Sequence, residues 1–134
     1  MANIRKRVSN PPTVAAPMKR YYSNAVRVDS GPLLFISGQV ALDKDGKLVG
    51  KGDLRAQAVQ VLENIRAILA AHGADMSDIL KVTVYVTQIS AFNDIADIRE
   101  RYFPNDGPAS VIVEISALAL PELMIEIEAV AAIS

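Results

Sequence analysis

An α+β fold is predicted for this 134-residue chain by three observations. Runs rich in β-branched residues alternate with two segments of helical period, in the order β-β-α-β-α-β-β. The two helical segments are amphipathic, so they can cover only one face of a mixed sheet. Half the residues (51%) are hydrophobic, which at this length suffices for one core without a disulfide or a structural metal.

The elements follow in order. Residues 1–17 read as a flexible arm. Arg5, Lys6 and Arg7 make its start basic, no apolar stretch follows to form a secretory signal, and three prolines give 10–17 an extended course. A single domain is expected over 18–134. Residues 25–28 form a short strand, Asp29-Ser30-Gly31-Pro32 a turn, and 33–40 a stronger strand. Asp45-Gly46 marks a tight turn.

Asp53 is placed to cap the longest helix, which runs to about His72. Leu54, Ala58, Val61, Leu62, Ile65, Ile68 and Leu69 make its apolar stripe, and Gly73 stops it. In the strand 79–87, Val82, Val84 and Val86 share one face. Ser90 is positioned to cap a second helix that points Phe92, Ile95, Ile98 and Tyr102 to one side, ending at Pro104. Strands over 110–116 and 123–133 close the chain. The sheet face without helices still carries apolar residues, so a second subunit is expected to cover it.

Composition excludes several chemistries. The absence of cysteine removes thiolate catalysis, disulfides and cysteine zinc sites, and suits a reducing cytoplasm. The one histidine, His72, falls near the C-terminus of the long helix with no second soft ligand, so it is read as a residue suited to the last helical turn and argues against a zinc site or a Ser-His-Asp triad. Gly46, Gly50 and Gly52 have the wrong spacing and context for a phosphate loop or a dinucleotide fingerprint. A net charge of −1 gives nucleic acid no attractive field. No window approaches the ~20 apolar residues that span a bilayer.

What remains is a site of carboxylate, hydroxyl, guanidinium and backbone groups. Glu126 and Glu128, two apart on a strand, point to one face. If that face meets a neighbouring subunit, each needs a partner, and interface salt bridging and catalysis both remain open. Ser37-Gly38-Gln39 ends a hydrophobic strand, where glycine lets backbone approach a ligand and Gln39 offers donor and acceptor; a plain strand-end turn is the alternative. Tyr21-Tyr22, after Lys19-Arg20, suits an acidic small molecule or an interface anchor.

Together these segments resemble the RidA/YjgF family of small enamine/imine deaminases, also labelled endoribonuclease L-PSP. The resemblance covers about residues 20–132. It rests on Tyr22-Ser23-Asn24-Ala25-Val26-Arg27-Val28, on Leu34-Phe35-Ile36-Ser37-Gly38-Gln39-Val40 and on Leu62-Glu63-Asn64-Ile65. Lys81-Val82-Thr83-Val84-Tyr85-Val86 and Gly107-Pro108-Ala109 add to it, and Leu120-Pro121 leading to Ile125-Glu126-Ile127-Glu128-Ala129 is the most specific part. The resemblance implies a chorismate-mutase-like α+β fold, a homotrimer with clefts between subunits, and cofactor-free hydrolysis of small imines to 2-keto acids and ammonia. It further implies that Glu126 positions the attacking water, while Tyr22, Ser37, Gly38 and Gln39 line the pocket.

One implied residue is replaced. The family reads Pro-Ala-Arg where this chain has Pro108-Ala109-Ser110, so Ser110 stands in place of the carboxylate-gripping arginine. Ile112 stands where a cysteine is common, and Ala96 and Arg99 replace an asparagine and a tyrosine of the second helix. A serine cannot form a bidentate pair with a carboxylate, a loss of about 2–5 kcal/mol of binding when the charge is left unpaired. Arg20 is one source of a replacement guanidinium; the other reading leaves it as an exposed surface charge. The expected function is therefore a divergent imine hydrolase with Ser110 binding a less acidic substrate. The alternative is a non-catalytic trimer that binds a small ligand. Ribonuclease action finds no support in the charge balance or the lone histidine.

Overall fold

The chain alternates the expected strands and helices, and the computed structural model describes residues 5–134. Eight of the ten elements surround one core: β3 (Leu33–Gln39), α1 (Leu54–Ala71), a 3₁₀ turn (Met76–Asp78), β4 (Ile79–Val86), α2 (Ala91–Asp94), α3 (Ala96–Tyr102), β5 (Ala109–Glu114) and β6 (Ile125–Ala132). The other two, β1 (Lys6–Ser9) and β2 (Ala25–Val28), form a separate antiparallel ribbon. The main sheet is mixed, with strand order β3-β6-β4-β5. β6 runs antiparallel to both neighbours, while β4 and β5 are parallel.

Helix α1 forms where its sequence signals lie. The Asp53 carboxylate accepts the Ala56 amide at 3.0 Å and so satisfies one free N–H of the first turn. The chain leaves the helix through Gly73, whose φ of +69° costs a residue without Cβ little. Ala58, Val61, Leu62, Ile65 and Leu69 are buried against Val82, Val84, Val86, Ile125, Ile127 and Ala129 of the sheet. Truncating one of these leucines to alanine would cost about 2–5 kcal/mol. Gln57 is equally buried, yet fully used: its amide donates to the carbonyls of Gly50 and Glu122 and accepts the Met124 amide at 2.8 Å. It thereby fixes the approach to β6.

Three expectations need correction. The basic arm does not fray throughout: Lys6–Ser9 pairs with Ala25–Val28, so the latter strand belongs to the ribbon and not to the main sheet. Arg7 and Arg27 stand opposite each other, and Asp29 ion-pairs with both, at 3.3 and 2.8 Å, which offsets the like-charge repulsion. Residues 1–4 of the expected arm lie outside the described residues. Ser90 makes no side-chain cap, and the second helical segment is divided at Ile95, whose backbone (φ −116°, ψ 9°) ends α2 and starts α3. The 3₁₀ turn, capped by Asp75, was missing from the expected order.

Candidate functional site

Several of the candidate residues gather into two clusters on opposite faces of the main sheet, while Tyr22 and Arg20 belong to neither. Cross-strand partners share a face, so Tyr85 and Glu126 lie on the face without helices, together with Thr83 and Glu128. Ser110 is registered with Val82 and faces the helices, as does Ile112 beside Val84.

The first cluster arises from a β-bulge. Between Ile36, opposite Ala129, and Gln39, opposite Ile127, β3 advances three residues while β6 advances two. The extra residue at Ser37-Gly38 bends the strand and brings its backbone over Glu126. A Cβ on Gly38 would lie 2.7 Å from Glu126 Cδ and overlap its carboxylate oxygen. A residue with a Cβ here would have to push the glutamate side chain aside, while the φ of Gly38 is not itself unusual. Glu128 accepts the Tyr85 hydroxyl at 2.9 Å. The two glutamates are thus distinct: one is held by a tyrosine, and the other lies half-buried against bare backbone. The Gln39 amide donates to the Ser37 carbonyl at 3.2 Å, and Ser37 lines an outer-face groove with Phe35, Lys81, Thr83, Glu128 and Val130.

The second cluster surrounds Ser110. Arg99 of α3 donates from Nη2 to Ser110 Oγ at 2.7 Å. Its guanidinium carbon lies 4.4 Å from the centre of the Tyr21 ring, a cation–π arrangement. Arg99 is 3% exposed and Tyr21 1%. Burial holds the Arg99 pKa below the usual guanidinium value and lifts that of Tyr21 above the usual phenol value, the latter opposed by Arg99. The Tyr21 segment is locked in place by Gly107, on which a Cβ would overlap the Tyr21 carbonyl, and by Ser23, which donates to the carbonyls of Pro108 and Gly107.

Tyr21, rather than Tyr22, is thus the tyrosine of this cluster. Tyr22 turns its hydroxyl to the Met18 amide and lines a shallow surface groove with Arg20 and Asn105. The arginine that reaches Ser110 is Arg99, not Arg20. Sequence reading noted Arg99 only as a substitution. Its signal was the helical period itself, since Arg99 lies four residues after Ile95 and three before Tyr102, on the buried stripe.

A small α+β unit with a glutamate beneath a strand-end glycine is the arrangement that the resemblance implies, and the buried Arg99–Ser110 pair is where this chain departs from it. The endoribonuclease L-PSP family model matches residues 13–133, and the chain belongs to that family, the RidA/YjgF group. A RutC family protein of Pyrococcus horikoshii is 45% identical over 111 residues, covering 82% of this chain and 85% of that protein. The human 2-iminobutanoate/2-iminopropanoate deaminase is 37% identical over 110 residues, covering 82% and 78%. A crystal structure of a Rid-family protein of unknown function from Yersinia pestis superposes with a TM-score of 0.91 at 38% identity, covering 97% of this chain and all of that one. Among the described residues, no helix is long and apolar enough to cross a membrane.

Proposed function

We propose that this protein is a deaminase-type hydrolase of small imines, working in a cleft between subunits of a homotrimer, with Glu126 as the group that positions and deprotonates water. The observation that carries this reading is the placement of the Glu126 carboxylate against the bulged Gly38 backbone, without a hydrogen bond to any described residue. A carboxylate left without an internal partner is available to a water molecule and a substrate. The deaminase name of the human relative supports the reaction class.

The chemistry balances without a cofactor. Glu126 takes a proton from water as the water oxygen bonds to the imine carbon and passes that proton to the imine nitrogen, giving a neutral carbinolamine. It then takes the carbinolamine hydroxyl proton and returns it to nitrogen as the carbon–nitrogen bond breaks, leaving ammonia and a carbonyl compound. The two clusters lie on opposite faces of one subunit, so one molecule cannot bring Glu126 and Ser110 to a single small ligand. Association that sets the outer face of one subunit near the β5 edge of the next would join them. Leu33, Phe35 and Val111, 42%, 74% and 47% exposed, give that face an apolar surface suited to a second copy of the chain.

The test is ammonia release from imino acids and neutral imines generated in situ. Catalysis above the uncatalysed rate for at least one of them is the expected result. Background rates throughout, for both the natural protein and a Ser110→Arg variant, would refute the hydrolase reading.

A further inference from the structure

We propose that the cavity between the β1–β2 ribbon and the end of α3 binds an apolar α-amino acid, with Lys6 on its carboxylate and Asp106 on its ammonium. The site shares no residue with either cluster described above, so the inference stands apart from the hydrolase reading.

The cavity forms where β1 lies beside the 3₁₀ turn and the chain that leaves α3. Its volume is about 310 Å³, at the lower end for small-molecule sites, and its apolar wall is Val8, Tyr102, Phe103 and Pro104. Tyr102 offers the cavity its ring rather than its hydroxyl, which is already bonded to Glu63.

Lys6 and Asp106 supply the charge. Lys6 is half-buried, and its Nζ donates to the Ser77 carbonyl at 3.1 Å. An ammonium has further N–H groups to give, and these have no partner among the described residues. Burial lowers the Lys6 pKa from its usual value, while Asp106, then Asp78 and Asp75, act in the opposite sense. Asp75 and Asp78 are committed to capping the 3₁₀ turn. Asp106 is not. It stands at the exposed rim, and no described residue donates to its carboxylate. Its φ of +49° is a backbone conformation that aspartate and asparagine tolerate better than most residues.

A cation and an anion thus border one cavity without forming an ion pair with each other. That arrangement selects the charge of the ligand. A simple anion would be drawn to Lys6 but repelled by the carboxylates around it, and a simple cation would meet the Lys6 ammonium. An α-amino acid carries both charges at one end, and its side chain can displace water from the apolar wall. Two aromatic residues in that wall make phenylalanine a suitable probe.

Calorimetric titration with L-phenylalanine, its amide, phenylpropanoate and L-alanine tests this recognition. The amide lacks the carboxylate, phenylpropanoate the ammonium and L-alanine the apolar body. L-phenylalanine is expected to bind, and each analogue to bind at least about tenfold more weakly. Lys6→Met keeps an apolar stem and Asp106→Asn keeps the turn, and each should weaken L-phenylalanine about tenfold. Asp106→Asn should not weaken phenylpropanoate, a difference between ligands that a purely structural role does not predict. Absence of L-phenylalanine binding at millimolar concentration overturns the proposal, as does equal binding of L-phenylalanine and its two charge-deleted analogues. Unchanged affinity in either folded variant overturns it too. If Lys6→Met does not fold, Asp106→Asn decides alone. Amide NMR shifts locate the ligand: changes at Val8, Phe103 and Asp106 support the site, and changes confined to β6 refute it.

Discussion

Gly38 and Glu126 are in such close contact that a single methyl group at residue 38 would occupy the space of the glutamate carboxylate. The contact depends on the bulge in β3, which places one extra residue opposite Glu128 and turns the strand end over β6. It gives the first prediction. Gly38→Ala should fold, because Gly38 does not need a left-handed backbone, but should displace Glu126. Imine hydrolysis is expected to fall roughly ten- to a hundredfold, as for other misplaced catalytic groups. An unchanged steady-state rate would separate the glycine from the chemistry.

The buried Gln57 carries a stability prediction. Replacing it by leucine keeps the volume close but leaves the Met124 amide and the carbonyls of Gly50 and Glu122 without their partner. Unfolding in urea should show a loss of about 2–3 kcal/mol. A loss under half a kcal/mol would mean that water replaces the glutamine at little cost.

Tyr102 gives the pH dependence. Its hydroxyl donates to Glu63 at 2.5 Å, joining α3 to α1, and burial followed by that bond raises its pKa from 10.0 to about 12. The neutral phenol is therefore favoured in the folded state. Its contribution to stability is complete below pH 10 and is lost as pH rises from 10 through about 12. Tyr102→Phe should flatten that part of the stability profile, and alkaline absorbance titration should lose one late-ionising tyrosine. If the early-ionising group disappears instead, the assignment is wrong.

The outer sheet face predicts association. Phe35, 74% exposed, projects from the same face as Thr83, Glu126 and Val130. Phe35→Glu places a charge where a second copy is expected to pack, so light scattering should register smaller particles than for the natural protein. A natural protein that is already monomeric would remove the cleft between subunits from this account.

The strands and the long helix were legible because their signals are local. The two-residue period put Val82, Val84 and Val86 together, and Asp53 and Gly73 bounded α1 through chemistry that needs no distant partner. The same period placed Glu126 and Glu128 on one face, although only the fold distinguishes the glutamate bonded to Tyr85 from the one beside Gly38. The β1–β2 ribbon was not legible, since a four-residue basic strand is credible only once Asp29 is seen between Arg7 and Arg27. Arg99 was missed because a charged residue is normally assigned to the exposed side of a helix. Its burial depends on Tyr21 and Ser110, which are distant in sequence and close only in the folded chain.

The most direct test of the central claim is the rate of ammonia release from the best imine substrate by Glu126→Gln and Glu128→Gln, measured beside the natural protein. Glutamine preserves shape but cannot take a proton. Glu126→Gln is expected to lose roughly a hundredfold or more in kcat, in the range for removing a general base, while Glu128→Gln stays close to the natural rate. Full activity in Glu126→Gln would contradict the account.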